Sequence, residues 1–140
     1  MKFDYIKQAS SIDPARPWIP RPIIPIRLAN KAMDIDLYAL IDSGADASIF
    51  HADIAKDLLI DLESGRKQEL FGVSGHPIVV YFHKVKLQII GSKDSITIEA
   101  GFTNSTSIPA LLGQADFFKQ YKISFERYKE QIEIKPAPTN

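Results

Sequence analysis

A carboxylate interrupts a hydrophobic run in the first half of the chain. Leu40 and Ile41 lead directly into Asp42, which is followed by Ser43 and Gly44. A carboxylate beside buried apolar residues is costly to desolvate unless other groups satisfy it. Two interpretations are open, because Asp-Ser-Gly is also ordinary turn chemistry. Asp42 is either a turn residue or a residue placed to react.

Hydrolysis of a peptide bond without a metal ion requires a base to activate water and an acid to meet the carbonyl oxygen. Two carboxylates in contact can do both, because like charges cannot both ionise easily and the pair shares a proton. The chain has one Asp-Ser-Gly and no Asp-Thr-Gly. A symmetric homodimer would bring Asp42 of each chain together at the twofold axis. A catalytic Asp42 therefore predicts a homodimer.

Composition excludes several other kinds of site. The 140 residues suit a single domain, and Lys+Arg and Asp+Glu are both 17, so no basic surface predicts nucleic-acid binding. The absence of cysteine excludes disulfides, thiolate metal sites and a cysteine nucleophile. The three histidines, His51, His76 and His83, lack ligand spacing, so we expect no metal and no cofactor.

The chain has no apolar run of 18 residues, so we expect no membrane partner. The first eleven residues lack the continuous apolar stretch of a signal peptide. We therefore expect a cytoplasmic protein.

The segments around Asp42 have clear periodicity. Alternation from Ile35 to Ile41 predicts a strand, which Gly44 ends with a sharp turn. Phe50, Ile54 and Leu58 recur at helical spacing and predict a short helix near residues 51–59. Asp42 is thus expected between a strand and a helix.

The rest of the chain reads mainly as short strands separated by turns, with a second short helix near residues 114–120. A hairpin tip is expected at Gly72–Gly75, and an apolar strand is expected to end at Gly113. A closing hairpin over residues 122–125 and 131–135 should point Ile123, Phe125, Ile132 and Ile134 inward. Further strands are expected near residues 3–8, 23–28, 85–89 and 96–101, with a polar loop over residues 102–107. This pattern predicts an all-β fold, closed or sandwiched.

Three segments resemble the landmarks of the retropepsin-like aspartic protease family. They are residues 40–48, with Asp-Ser-Gly-Ala-Asp after two apolar residues, the glycine-flanked tip at residues 72–75, and the apolar-apolar-Gly segment with a short helix at residues 111–118. The resemblance covers about residues 20–135, leaves residues 136–140 as a tail, and is closer to bacterial than to viral members. It implies one retropepsin-like domain over residues 1–140, a closed β-barrel with one or two short helices and a flap hairpin.

The resemblance also implies roles for individual residues and a polypeptide substrate bound in extended conformation. Asp42 would be the catalytic carboxylate, and the hydroxyl of Ser43 would grip the other subunit. Gly44, Ala45 and Asp46 would line the substrate cleft, and the hydroxyl of Ser48 would support it from behind. The flap would consist of Gly72, Val73, Ser74 and Gly75.

The sequence departs from the viral pattern in two places. Gln114 stands where many viral members have an arginine that pairs with the second acid of the motif, here Asp46. The C-terminal hairpin is also longer than the short terminal strands that close viral dimers. These departures keep a second function open, a non-catalytic retropepsin-like dimer that binds a peptide or acts as a scaffold.

Other residues have simpler alternatives. Asp46 and Asp116 are also explained as caps of backbone amides. Trp18 is expected to cover the core or an interface. His76 is expected to be a solvated hairpin residue.

Overall fold

The computed structural model describes residues 1–10, 13–71 and 75–139, which form mainly β-strands. In this part of the chain one α-helix, α1 (Ala52–Asp57), and three short helical turns (Leu62–Ser64, Gln114–Phe118 and Arg127–Lys129) connect the strands. The all-β prediction is confirmed. The strands of the described part are β1 (Lys2–Asp4), β2 (Ile6–Ala9), β3 (Trp18–Arg21), β4 (Ile23–Asn30), β5 (Met33–Ile41), β6 (Ile49–His51), β7 (Arg66–Phe71), β8 (Pro77–Ile89), β9 (Ser95–Thr103), β10 (Leu111–Leu112), β11 (Tyr121–Glu126) and β12 (Gln131–Pro136).

Six strands pair in a closed circuit, β4–β5–β10–β6–β9–β8, because β8 also pairs with β4. Two of the pairings are parallel, β5 with β10 and β6 with β9. The parallel pairing places Leu112 beside Ile41, so β5 and β10 end side by side. In the described residues β7 is outside the circuit and pairs with β8 alone.

Alternation in the sequence accounts for the central strands and the core. In β4 the side chains of Ile24, Ile26 and Leu28 are fully buried, and in β5 Ala39 and Ile41 are buried. Each buried aliphatic side chain of this size contributes about 1.5–3 kcal/mol relative to exposure. The strand predicted between Ile35 and Ile41 is confirmed as part of β5, and its last residue, Ile41, is buried in the core.

The predicted helix after this strand is also confirmed, with narrower bounds. His51 is its N-cap, and the imidazole Nδ1 accepts a hydrogen bond from the Asp53 amide at 3.0 Å. Ala55 and Leu58 are fully buried, as the helical spacing predicts. Leu59 follows with a positive φ of 56°, and the chain then turns towards β7.

A separate three-stranded sheet joins the two ends of the described chain, in the order β1–β12–β11. The closing hairpin is confirmed, and Ile132 and Ile134 are buried. The inward prediction for Phe125 is wrong, because its side chain is 41% exposed. It shares a face with Ile132, its partner in the register, but in the described residues β11 is the edge strand of this sheet.

Several boundaries differ from the predictions. The predicted N-terminal strand is two strands. β8 runs for 13 residues and joins the arm that follows the predicted hairpin tip to the strand predicted near residues 85–89. The predicted loop at residues 102–107 begins later, since β9 extends to Thr103 and Phe102 is fully buried. Trp18 lies outside the core and is 59% exposed. No helix in the described ranges is long and apolar enough to cross a membrane.

Candidate active site

Asp42 follows the last residue of β5, where the strand leaves the core. Its amide donates a hydrogen bond to the carbonyl of Leu112 at 3.0 Å, which extends the pairing with β10 by one step. Ile41, the preceding residue, is buried, whereas Asp42 is half-buried. The carboxylate therefore stands on a rigid strand end at the border between core and solvent.

The turn after Asp42 holds its carboxylate in place. Oδ1 of Asp42 accepts a hydrogen bond from the Gly44 amide at 2.9 Å, and the Asp42 carbonyl accepts one from the Ala45 amide at 3.1 Å. Such side-chain turns are characteristic of Asp. A Cβ at Gly44 would lie 3.3 Å from Oδ1, so a larger residue would crowd the carboxylate. The turn interpretation of Asp42 is correct, and the same turn orients the carboxylate.

Residues 42–48, the Asp42 loop, are fixed from behind by Ser48. This side chain is fully buried, donates to Oδ1 of Asp116 at 2.7 Å and accepts from the Gly113 amide at 3.1 Å. The Ser48 carbonyl accepts from the Gly101 amide at 2.8 Å. Ser48 thus links the loop to β9 and to the turn after β10.

The front of the loop is fixed by the residues that follow Gly113. The Gln114 amide donates to the carbonyl of Ala45, and the Ala115 amide donates to that of Asp46, each at 2.8 Å. The side chain of Gln114 adds a third bond, from Nε2 to the carbonyl of Ser43, also at 2.8 Å. Three carbonyls of the loop, those of Ser43, Ala45 and Asp46, are therefore attached to one short helical turn.

Asp116 is a half-buried acid in that helical turn. The N-cap of this helical turn is Gly113 and not Asp116. Oδ1 of Asp116 accepts hydrogen bonds from the Phe117 amide at 2.7 Å and from the Ser48 hydroxyl. Burial raises the pKa of the Asp116 carboxyl above its ordinary value, and the hydrogen bonds from Ser48 and Phe117 oppose part of that rise.

A cavity of about 1000 Å³ lies between the Asp42 loop and the hairpin formed by β7 and β8. This volume is at the upper end of the usual range for ligand pockets. Its walls are apolar at Ile49, Ile78, Phe82 and Ile108, and charged at an ion pair between Arg66 and Glu99. The residues of the Asp42 loop that line it are Gly44, Ala45, Asp46 and Ala47.

The predicted site residues have different positions around this cavity. Gly44, Ala45 and Asp46 border it together, whereas Asp42 and Ser43 lie beside it and are not lining residues. In the described residues no ion pair involves Asp46, whose side chain is exposed. Of the predicted flap, Gly75 is exposed with a φ of 75°, and Gly72, Val73 and Ser74 lie outside the described residues.

The histidines and acids do not assemble around a common point. Within residues 1–10, 13–71 and 75–139, no group of three or more metal-ligating side chains could hold an ion. His83 lies with Nε2 at 2.7 Å from the Leu62 carbonyl. His76 is exposed and borders the cavity.

Comparison with solved structures identifies the fold. The chain is similar to a retropepsin-like aspartic protease from Rickettsia conorii, with a TM-score of 0.59 and 13% identity over 84% of this chain and 99% of that one. It has a retropepsin-like fold. EIAV protease complexed with the inhibitor HBY-793 is similar as well, with a TM-score of 0.52 and 20% identity over 76% of this chain and 88% of that one. No protein-family model and no curated protein matches the sequence.

Within this retropepsin-like fold, sequence reasoning missed the attachment of the Asp42 loop by Gln114. From the sequence alone, Gln114 after Gly113 indicates only that the arginine of many viral members is absent. An amide in place of a guanidinium keeps a donor but has no charge, and here it donates to the Ser43 carbonyl instead of pairing with Asp46. The polar residue at this position was the available signal.

Proposed function

We propose that the protein is a homodimeric aspartic endopeptidase in which Asp42 of each subunit supplies one member of a carboxylate pair. One observation carries the proposal. The Asp42 carboxylate is held by the Gly44 amide at the end of a buried strand, in the loop that borders a cavity of about 1000 Å³. The site therefore combines a fixed carboxylate with room for a peptide next to its loop.

The chemistry of the pair balances without a metal ion. One carboxylate removes a proton from water while the water oxygen bonds to the scissile carbonyl carbon, and the protonated partner donates its proton to the carbonyl oxygen. The C–N bond of the tetrahedral intermediate then breaks. The carboxyl that took the water proton gives a proton to the leaving nitrogen, and the other carboxylate takes a proton from a hydroxyl of the intermediate as the C=O bond re-forms. The products are a carboxylic acid and an amine, and the pair shares one proton again.

The cleft suits an extended peptide that pairs with the protein backbone. The carbonyls of Ser43, Ala45 and Asp46 already accept hydrogen bonds from Gln114 or Ala115. Within the described residues the Gly44 carbonyl accepts none. We propose that it accepts a hydrogen bond from a substrate amide, with Ala45 and Asp46 beside the bound strand.

The hairpin opposite the loop is proposed as a flap that closes over the peptide. Gly72, Val73, Ser74 and Gly75 would form its tip, and closure would exclude water from the reacting bond. The exposed hydroxyl of Ser43 is proposed to bond across the twofold axis, next to Asp42. Ser48 is proposed to support the loop from behind without contacting substrate.

A second function has one observation in its favour. Asp42 does not itself line the cavity of the single chain, so the cleft can exist without using the carboxylate. A non-catalytic dimer that binds peptides in this cleft is therefore the alternative. It predicts binding without cleavage.

The deciding experiment replaces Asp42 with asparagine and measures cleavage of a mixed peptide library by mass spectrometry. We expect a loss of at least about 10³-fold, because the pair provides both base and acid. Asp34→Asn, the same change at the exposed start of β5, is the matched control and should leave cleavage unchanged. Sedimentation should show a dimer for all three proteins.

Two results would contradict the proposal. Cleavage by Asp42→Asn at the wild-type rate would exclude the carboxylate pair, and cleavage by a strictly monomeric protein would exclude a pair shared between subunits. Peptide binding by a wild-type dimer that cuts none of the library would favour the second function.

A further inference from the structure

We infer that Gln114 is a positioning residue, whose side-chain amide sets the location of the Asp42 carboxylate through the Ser43 carbonyl. The inference rests on the proposed function, because it assigns a role within the same site. Nε2 of Gln114 lies 2.8 Å from the Ser43 oxygen, and Ser43 is the residue directly after Asp42. No other side chain in the described residues bonds to the loop from Asp42 to Ala47, apart from the carboxylate of Asp42 itself.

The bond from Gln114 to Ser43 affects the orientation of the Asp42 carboxylate through the peptide unit that follows Ser43. Asp42 is anchored on one side by the bond from its amide to Leu112, which belongs to β10. On the other side, the peptide unit joining Ser43 to Gly44 contains both the carbonyl that Gln114 holds and the amide that donates to Oδ1 of Asp42. That peptide unit is planar, so fixing its oxygen fixes the direction of its N–H. The Gln114 side chain therefore aims the donor that holds the carboxylate.

Donor character is the property that matters. A backbone carbonyl oxygen only accepts hydrogen bonds, and Gln supplies an N–H where Glu would supply a second acceptor. Gln114→Glu is nearly isosteric, and at neutral pH it would turn the attraction into repulsion at 2.8 Å. Gln114→Ala removes the donor without adding charge.

The rest of the loop attachment would survive these substitutions. The bonds from the amides of Gln114 and Ala115 to the carbonyls of Ala45 and Asp46 use backbone atoms alone. The Gln114 side chain is exposed, so it contributes little to global packing. The variants are therefore expected to fold and to change only the orientation of the first turn of the loop.

The test combines steady-state kinetics with hydrogen exchange of the Gly44 and Ala45 amides. We expect both Gln114→Glu and Gln114→Ala to lower kcat about ten-fold, since small misplacement of a reacting group is costly, with KM within about two-fold of wild type. Amide exchange at Gly44 should accelerate in both variants. The urea midpoint should remain that of wild type. Gln120→Glu, the same change at an exposed position near the same turn, should alter none of these values.

The inference is overturned if Gln114→Glu retains both the wild-type kcat and the wild-type exchange at Gly44. A larger KM with unchanged kcat would also overturn it, because it would place Gln114 in substrate binding. The exchange measurement needs no cleavage activity. An inactive wild-type protein would therefore contradict the proposed function. Faster exchange of the Gly44 amide in the variants would still establish the positioning contact.

Discussion

Replacing Ser48 with alanine removes one hydroxyl from a fully buried position behind the Asp42 loop. In the wild-type protein this hydroxyl donates to Asp116 at 2.7 Å and accepts from the Gly113 amide at 3.1 Å. After Ser48→Ala the buried Gly113 amide has no acceptor and Asp116 loses one of its donors. Both changes act on the contact between the loop and the turn after β10.

The size of the effect follows from these two bonds. A buried donor left without an acceptor costs about 1–3 kcal/mol, and a hydrogen bond to a charged group is worth about 1.5–3 kcal/mol. The two losses share one oxygen and are not fully additive. We therefore expect Ser48→Ala to lower the free energy of unfolding by about 2–4 kcal/mol.

The measurement is urea denaturation at equal protein concentrations, because dimerisation would make the midpoint depend on concentration. Ser124→Ala is the matched control, since Ser124 is exposed on β11 and its side chain makes no hydrogen bond with the described residues. We expect the control to lie within about 0.5 kcal/mol of wild type. A loss below that value for Ser48→Ala would refute the supporting role of this hydroxyl.

Two further changes probe the same region. The pKa of Asp116 is raised by burial above its ordinary value of 3.8, so the folded protein holds this proton more tightly than the unfolded chain. The wild-type protein should therefore lose stability relative to Asp116→Asn as pH rises from about 3.8 through the raised pKa. Urea denaturation of both proteins from pH 4 to 8 measures this. A difference in unfolding free energy between them that does not vary with pH would contradict the expectation. Gly113→Ala would place a Cβ 2.5 Å from the Ala47 carbonyl oxygen and should destabilise the fold by about 1–3 kcal/mol. An unchanged urea midpoint would show instead that the Asp42 loop moves to accommodate the added methyl group.

Local patterns predicted the elements that position Asp42. The alternation of apolar residues up to Ile41 and their helical spacing from Phe50 to Leu58 both involve residues that are close in sequence. The structure confirms the strand and the helix that these patterns predict. The resemblance to retropepsin-like proteases predicted the fold, which the solved structures support. The roles assigned to individual site residues stay predictions.

The errors arose where distant segments decide the outcome. The predicted N-terminal strand divides in two because β1 pairs with β12 whereas β2 pairs with β3, and no local pattern reveals this change of partner. β8 was split because its buried residues change parity between Phe82 and Val85. Its pairing with β9 continues without a bulge, so the two halves of the strand bury opposite faces of the sheet. A change of parity in the sequence does not show whether a strand ends there or continues with its other face buried.

The position of β7 has a mechanical consequence. Every strand of the closed circuit has at least two neighbours, so displacing one breaks hydrogen-bond ladders on both of its sides. β7 pairs in the described residues with β8 alone, so bending it away breaks a single ladder together with the ion pair between Arg66 and Glu99. Local openings of this kind have much lower free energies than global unfolding. The β7 side of the cavity can therefore open at a lower cost than any strand of the ring, without displacing β5, the strand that positions Asp42.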